Sequence, residues 1–100
     1  MKHKFNAVQT VCDGIKFPSK KEAKYYQDLK LRQKAGEIIL FLRQVPFYLP
    51  GNTKYVVDFQ EFHSDGSVHF VDVKGKETEM FIMKKKQVEA LYPPVIIEVV

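Results

Sequence analysis

The chain reads as an α/β fold: a small N-terminal hairpin, then a helix, three strands, a second helix and a last strand, with a mixed central sheet flanked by the helices. Three observations lead there. Two blocks have helical apolar spacing and open on capping signals, and three β-rich runs divided by turn residues lie between them. A final β-branched run follows the second helix, and a strand reached through a helix most naturally returns parallel to an earlier one.

In chain order, Asp13-Gly14 is a two-residue hairpin turn between β-prone segments within 8–17. Ser19-Lys20-Lys21-Glu22 has the form of a capping box and Gly36 that of a C-terminal stop, so helix one is expected over 20–35. Strands are expected over 38–47, with Pro46 near the end, 55–63 and 68–74. Pro50-Gly51-Asn52-Thr53 and Ser64-Asp65-Gly66 divide these into an antiparallel meander. Thr78 is an N-cap for helix two over 79–91, which ends before Pro93-Pro94. Residues 95–100 form the last, mostly buried strand.

One hundred residues with 45% hydrophobic side chains suit a single domain over 1–100 with one modest core, which leaves homodimerisation open beside the monomer. Cys12 is the only cysteine, so no internal disulfide can form, and it is expected to pack as a small apolar side chain. His3, His63 and His69 lack zinc-ligand spacing, and the last two are expected as surface residues flanking a turn. No signal peptide and no run near the ~20 apolar residues of a membrane span is present, so the expectation is a soluble, cytoplasmic protein without a membrane partner. The formal charge of +4 permits a polyanionic partner without requiring one.

Reading Ser64-Asp65-Gly66 as a three-residue hairpin loop pairs His63 with Ser67 and, counting back, sets Asp58 opposite Asp72. Directly opposed carboxylates on one face repel unless something cationic lies between them. Each is also embedded in an apolar run, Tyr55-Val56-Val57-Asp58-Phe59 and Phe70-Val71-Asp72-Val73, where an unpartnered charge is expensive. Lys74, two residues beyond Asp72, projects from the same face, and Gly75 leaves the backbone open to close approach. On helix one, Glu22 falls in the stripe of Tyr25, Tyr26, Leu29 and Gln33, opposite Lys20, Lys24 and Asp28, so it faces the sheet. A set of hard carboxylate oxygens beside a lysine suits Mg2+ or Mn2+, and phosphodiester hydrolysis is the reaction it serves.

These residues resemble the PD-(D/E)XK, or restriction-endonuclease-like, nuclease superfamily, whose core is αβββαβ. The matching positions are Glu22 in the first helix, Asp58 in the second core strand and Asp72-Val73-Lys74 in the third. The strings FPSKKEAKYYQDL, QVPFYL, YVVDFQEF and VDVKGKET…FIMKKK resemble a family of small phage and prophage proteins assigned to that fold. The resemblance covers almost the whole chain. It implies a divalent-metal-dependent DNA endonuclease acting in the host cytoplasm, structure-selective or weakly sequence-selective, as in phage DNA processing or junction resolution. It also implies that Asp58, Asp72, the Val73 carbonyl and Glu22 hold the metal, and that Glu22, Asp58, Asp72 and Lys74 are catalytic. Lys20, Lys21, Lys24, Lys76, Lys84, Lys85 and Lys86 are the candidate DNA contacts. Two departures stand out: the acid before the lysine is Asp72 rather than the commoner Glu, and no proline precedes Asp58.

Competing readings follow from the same residues. Glu22 is also the acid of the capping box, and both roles cannot be fully exercised at once. Asp58 and Asp72 read alternatively as edge-strand charges that discourage aggregation. Lys84 lies near the centre of an apolar helix face made of Met80, Phe81, Met83, Val88 and Leu91, where it either snorkels to water or reaches the carboxylates or a phosphate. The alternative function is a non-catalytic nucleic-acid-binding protein that retains the fold; a third is a phage assembly module without a nucleic-acid role.

Overall fold

A computed structural model describes residues 9–100; His3 and the start of the expected hairpin at Val8 lie outside them. Two short strands, β1 (Thr10–Cys12) and β2 (Ile15–Phe17), form an antiparallel hairpin with Cys12 opposite Ile15. Both turn residues have positive φ, 52° at Asp13 and 74° at Gly14, as a type I′ turn requires.

Helix α1 spans Lys20–Lys34, and the Ser19 side chain caps it by accepting the Glu22 N–H. At its other end Gly36 takes φ 86°, the Gly36 N–H donates to the Gln33 carbonyl and the Glu37 N–H to the Arg32 carbonyl. These two bonds are the Schellman pattern, in which a left-handed residue lets the chain turn back on the last carbonyls.

The main sheet has four strands in the order β3-β4-β5-β6, being β3 (Ile38–Leu49), β4 (Thr53–His63), β5 (Val68–Asp72) and β6 (Ile97–Val99). The first three are antiparallel neighbours, and β6 runs parallel to β5. β3 runs past Pro46 to Leu49 because it is an edge strand, where a missing N–H costs no ladder bond. β5 stops at Asp72, short of its expected end at Lys74, where the Lys74 N–H still donates to the Val100 carbonyl. The last strand is shorter and less buried than expected. The Val95 N–H turns back to the Tyr92 carbonyl, and only Ile97 of the run is fully buried, since β6 is the other edge.

Helix α2 covers Glu79–Leu91, as the sequence predicts, with Thr78 capping the Phe81 N–H. Its buried face differs from the expected one. Phe81 and Val88, two turns apart, are the residues driven into the core, whereas Met80, Met83 and Leu91 are exposed. Lys84 and Lys85 flank that pair and are half-buried.

The core has two parts. Phe17, Ala23, Tyr26 and Leu29 pack on Ile38, Phe59, Val71 and Val73, and Phe81 and Val88 pack with Leu49, Tyr55, Val57 and Ile97. β4 passes from one cluster to the other between Val57 and Phe59, so Asp58 sits at the seam. Gly36 closes α1 with a left-handed φ of 86°. Gly36→Ala is expected to lower unfolding stability by about 1 kcal/mol, because alanine must take a left-handed φ. Gly75→Ala, at a position with ordinary φ and open space around the added Cβ, is expected to stay within about 0.5 kcal/mol. Urea unfolding midpoints of the two variants check the contrast.

Candidate functional site

The turn closing β4 onto β5 sets the site. The His63 N–H donates to the Ser67 carbonyl, Gly66 takes φ 90°, and the ladder runs Phe62 opposite Val68, Glu61 opposite His69 and Phe59 opposite Val71. The next pair is Asp58 and Asp72, where side chains take over from the backbone ladder. The Asp58 N–H donates to Asp72 Oδ1 at 2.9 Å, and the Val73 N–H donates to Asp58 Oδ2 at 2.9 Å. The two carboxylates thus hold each other's strand, which disposes of the reading as edge-strand charges: Asp72 is only 1% exposed and lies on a central strand.

α1 brings Glu22 to the same place. Its side chain is buried, as are Ala23, Tyr26 and Leu29, whereas Lys20, Lys24 and Asp28 are exposed. Gln33, expected in the same stripe, is exposed and donates to the Ile39 carbonyl, because the helix end lies beyond the cover of the sheet. The capping box is half made: Ser19 caps the Glu22 N–H, but Glu22 Oε2 is buried without a hydrogen-bond partner. Asp72 Oδ2 is likewise buried and unpartnered. Unsatisfied buried carboxylate oxygens are costly, and two in one place point to a cation or proton as the missing partner.

The electrostatics tie these groups together. Burial pushes the Glu22 carboxyl up to about 7, the negative charges of Asp58 and Asp72 push it the same way, and Arg43 and Lys74 oppose them. Burial also raises Asp58, against the Val73 N–H, Lys74, Gln44 and Arg43, and raises Asp72, against the Asp58 N–H and Lys74. The half-buried Lys74 lies with Nζ 4.8 Å from the centroid of the Phe81 ring. Lys21 donates to the Lys74 carbonyl at 2.9 Å, so it fastens the segment that follows β5.

Sequence reasoning missed two neighbours. Gln44 on β3 stands opposite Asp58 of β4, between the Arg43–Phe59 and Val45–Val57 pairs, and acts with Val73, Lys74 and Arg43 to lower the Asp58 carboxyl against burial. It does so with φ 55°, a left-handed conformation that non-glycine residues rarely hold inside a strand. Arg43 stacks its guanidinium 4.6 Å from the Phe17 ring centroid, and its buried Nε has no partner. The signal was present as an Arg-Gln pair interrupting the apolar run of β3.

The other expected groups fall differently. His63 and His69 are not free surface residues: His63 pairs with the buried Glu61, which also accepts the Tyr25 hydroxyl, and His69 pairs with Glu98. Cys12 is half-buried against the first core cluster, where Gln27 donates to its sulfur. Lys85 is paired with Glu89 at 3.0 Å; Lys20, Lys24, Lys76 and Lys86 are exposed. Val73 packs its apolar side chain into the core and could serve a metal only through its backbone carbonyl. Among the described residues no three acidic, histidine or cysteine side chains are gathered at metal-holding distance. No helix among those residues is long and apolar enough to cross a membrane.

A mixed sheet carrying the buried Asp72 beside the half-buried Asp58, with a helical glutamate and a lysine, defines an α/β protein with an acidic, lysine-bearing site. Over residues 2–100 the chain matches the family described as a protein of unknown function (DUF1064), and it belongs to that family. Neither the curated proteins nor the solved structures contain a match.

The raised Glu22 carboxyl has a consequence for stability. Folded Glu22 keeps its proton up to about 7 while the unfolded chain releases it near 4.5, so stability falls as pH rises through that window, by on the order of 3 kcal/mol. In EDTA, the protein is expected to melt several degrees lower at about pH 8 than at about pH 5, and Glu22→Gln to flatten this dependence. Thermal melts of both proteins across that range check it; parallel profiles contradict it.

Proposed function

We propose that the protein is a divalent-metal-dependent DNA endonuclease of the PD-(D/E)XK type. The observation that carries this reading is the pair of buried, unpartnered oxygens, Glu22 Oε2 and Asp72 Oδ2, in one electrostatic cluster with Asp58 and Lys74. The order of a helix, an antiparallel three-strand meander, a second helix and a parallel strand supports it, as does the resemblance carried by Glu22, Asp58 and Asp72-Val73-Lys74.

The donor chemistry fits Mg2+ or Mn2+: hard carboxylate oxygens, two of them without a hydrogen-bond partner among the described residues. Asp58, Asp72 and Glu22, with the Val73 carbonyl, are the residues that would hold the ion. When bound there, it supplies a water of lowered pKa and neutralises charge developing on the scissile phosphate. Lys74 places its ammonium beside the carboxylates, where it orients the attacking water and stabilises the pentavalent phosphate. Arg43 offsets the charge of Glu22 and Asp58, and Gln44 fixes the Asp58 carboxylate from the opposite strand. Weak sequence selectivity or selectivity for branched DNA, and action in the host cytoplasm, belong to the same proposal.

A non-catalytic nucleic-acid-binding protein is the second reading, which the formal charge of +4 equally permits. Incubation with supercoiled, linear, single-stranded and branched DNA in Mg2+, Mn2+ or EDTA separates the two: cleavage that EDTA abolishes supports the nuclease, and binding without cleavage under every condition supports the alternative.

Asp58→Asn and Asp72→Asn are each expected to lower cleavage by roughly two orders of magnitude or more without unfolding the chain. Asparagine keeps a carbonyl oxygen for the Val73 or Asp58 N–H and relieves repulsion in the cluster. Full activity in a folded variant removes that residue from the mechanism. Lys74→Met is expected to lower turnover about 100-fold while DNA affinity stays within a few-fold, because the charge acts chiefly in the transition state. Single-turnover kinetics beside an equilibrium binding curve check this; normal turnover with weakened affinity makes Lys74 an ordinary phosphate contact.

A further inference from the structure

Beside the carboxylates, a shallow cavity of about 260 Å³ is lined by three lysines from three parts of the chain: Lys54 from the start of β4, Lys74 from the segment after β5 and Lys84 from α2. Tyr55, Thr78 and Phe81 also line it. Three ammonium groups around one hollow repel one another unless an anion lies among them. None of the three is in an ion pair among the described residues, whereas Lys85, next to Lys84 in the chain, is neutralised by Glu89.

A second observation comes from Tyr55. This wall residue is 6% exposed, and its buried hydroxyl has no hydrogen-bond partner among the described residues, which leaves an unsatisfied polar atom beside the hollow. Thr78 adds the capped N-terminus of α2, where the helix dipole favours negative charge. Its hydroxyl accepts the Phe81 N–H and keeps its own proton to donate. Snorkelling accounts for the half-buried Lys84 stem, but it does not account for Lys54 and Lys74 converging on the same hollow.

We propose that this cavity is a phosphate subsite, in which Lys54 and Lys84 seat a DNA backbone phosphate adjacent to the one that is cut. The inference rests on the nuclease reading for its substrate, and the shared Lys74 joins the two positions. Lys54 and Lys84 here are positioning residues: they hold the strand while the carboxylates and Lys74 act on its neighbour.

The test is run on the full chain in EDTA, so that it does not depend on cleavage. Binding of a fluorescein-labelled DNA duplex is followed by anisotropy over a range of salt, and then with duplexes carrying one neutral methylphosphonate each. Lys54→Met and Lys84→Met keep the apolar stem, and each is expected to reduce the slope of log K against log salt by about 1. Lys84→Arg and the control Lys34→Met, at the far end of α1, should keep the wild-type slope. In the wild type, neutralising one phosphate position should weaken binding, and that penalty should vanish in Lys84→Met and Lys54→Met while penalties elsewhere remain. Unchanged slopes and penalties in both variants overturn the subsite, as does absence of DNA binding by the wild type at low salt. A protein that cuts DNA but shows unchanged slopes loses the subsite alone; one that shows the coupled penalty but never cuts loses the nuclease reading alone.

Discussion

The exchange of hydrogen bonds between Asp58 and Asp72 is the constraint on which the rest of the site depends. Each carboxylate takes a backbone N–H from the neighbouring strand, which holds β4 and β5 in register where their regular ladder ends. Those bonds occupy Asp58 Oδ2 and Asp72 Oδ1 and leave Asp72 Oδ2 buried and unsatisfied. A charge needed for the fold is therefore also held ready for chemistry. Deleting the charge while keeping the oxygen preserves the first role and removes the second.

Around that pair the molecule balances charge from several directions. Glu22 arrives from α1, and Arg43 and Gln44 reach Asp58 from β3, while Lys74 follows β5 directly. Burial, and after it the negative charge of Asp58 and Asp72 that Arg43 and Lys74 only partly offset, lets Glu22 hold a proton up to about 7. A proton and a divalent ion are alternative occupants of the same deficit. The left-handed Gln44 fits this picture, since backbone strain persists where the surroundings over-determine it.

Much of this was legible because it depends on short-range rules. The Ser64-Asp65-Gly66 turn fixes a loop length, the loop length fixes the register, and the register places Asp58 beside Asp72 without tertiary information. The limits of α1 and α2 followed from Ser19, Gly36 and Thr78, whose side chains or φ angles satisfy helix ends locally. Tertiary questions were harder to read. Periodicity assigned α2 a face containing Met80, Met83 and Leu91, but the sheet beneath has room only for Phe81 and Val88. Arg43 and Gln44 were passed over because their meaning lies in Asp58, on a strand that comes later. His69 was misread for the same reason, since Glu98 becomes its neighbour only when the sheet forms, whereas the pairing of His63 with Glu61, two residues back on the same face of β4, was a local signal that was overlooked.

Whether the unsatisfied oxygens of Glu22 and Asp72 take up a divalent cation is tested by metal binding itself, without reference to DNA. Calorimetric titration with Mn2+ near neutral pH, repeated in buffers of different ionisation enthalpy, reads both occupancy and proton release. The account predicts a single site whose binding expels a fraction of a proton, because Glu22 is part-protonated near pH 7, with both signals lost in Asp72→Asn and the proton release lost in Glu22→Gln. An absence of Mn2+ binding, or binding unchanged in Asp72→Asn, would contradict it.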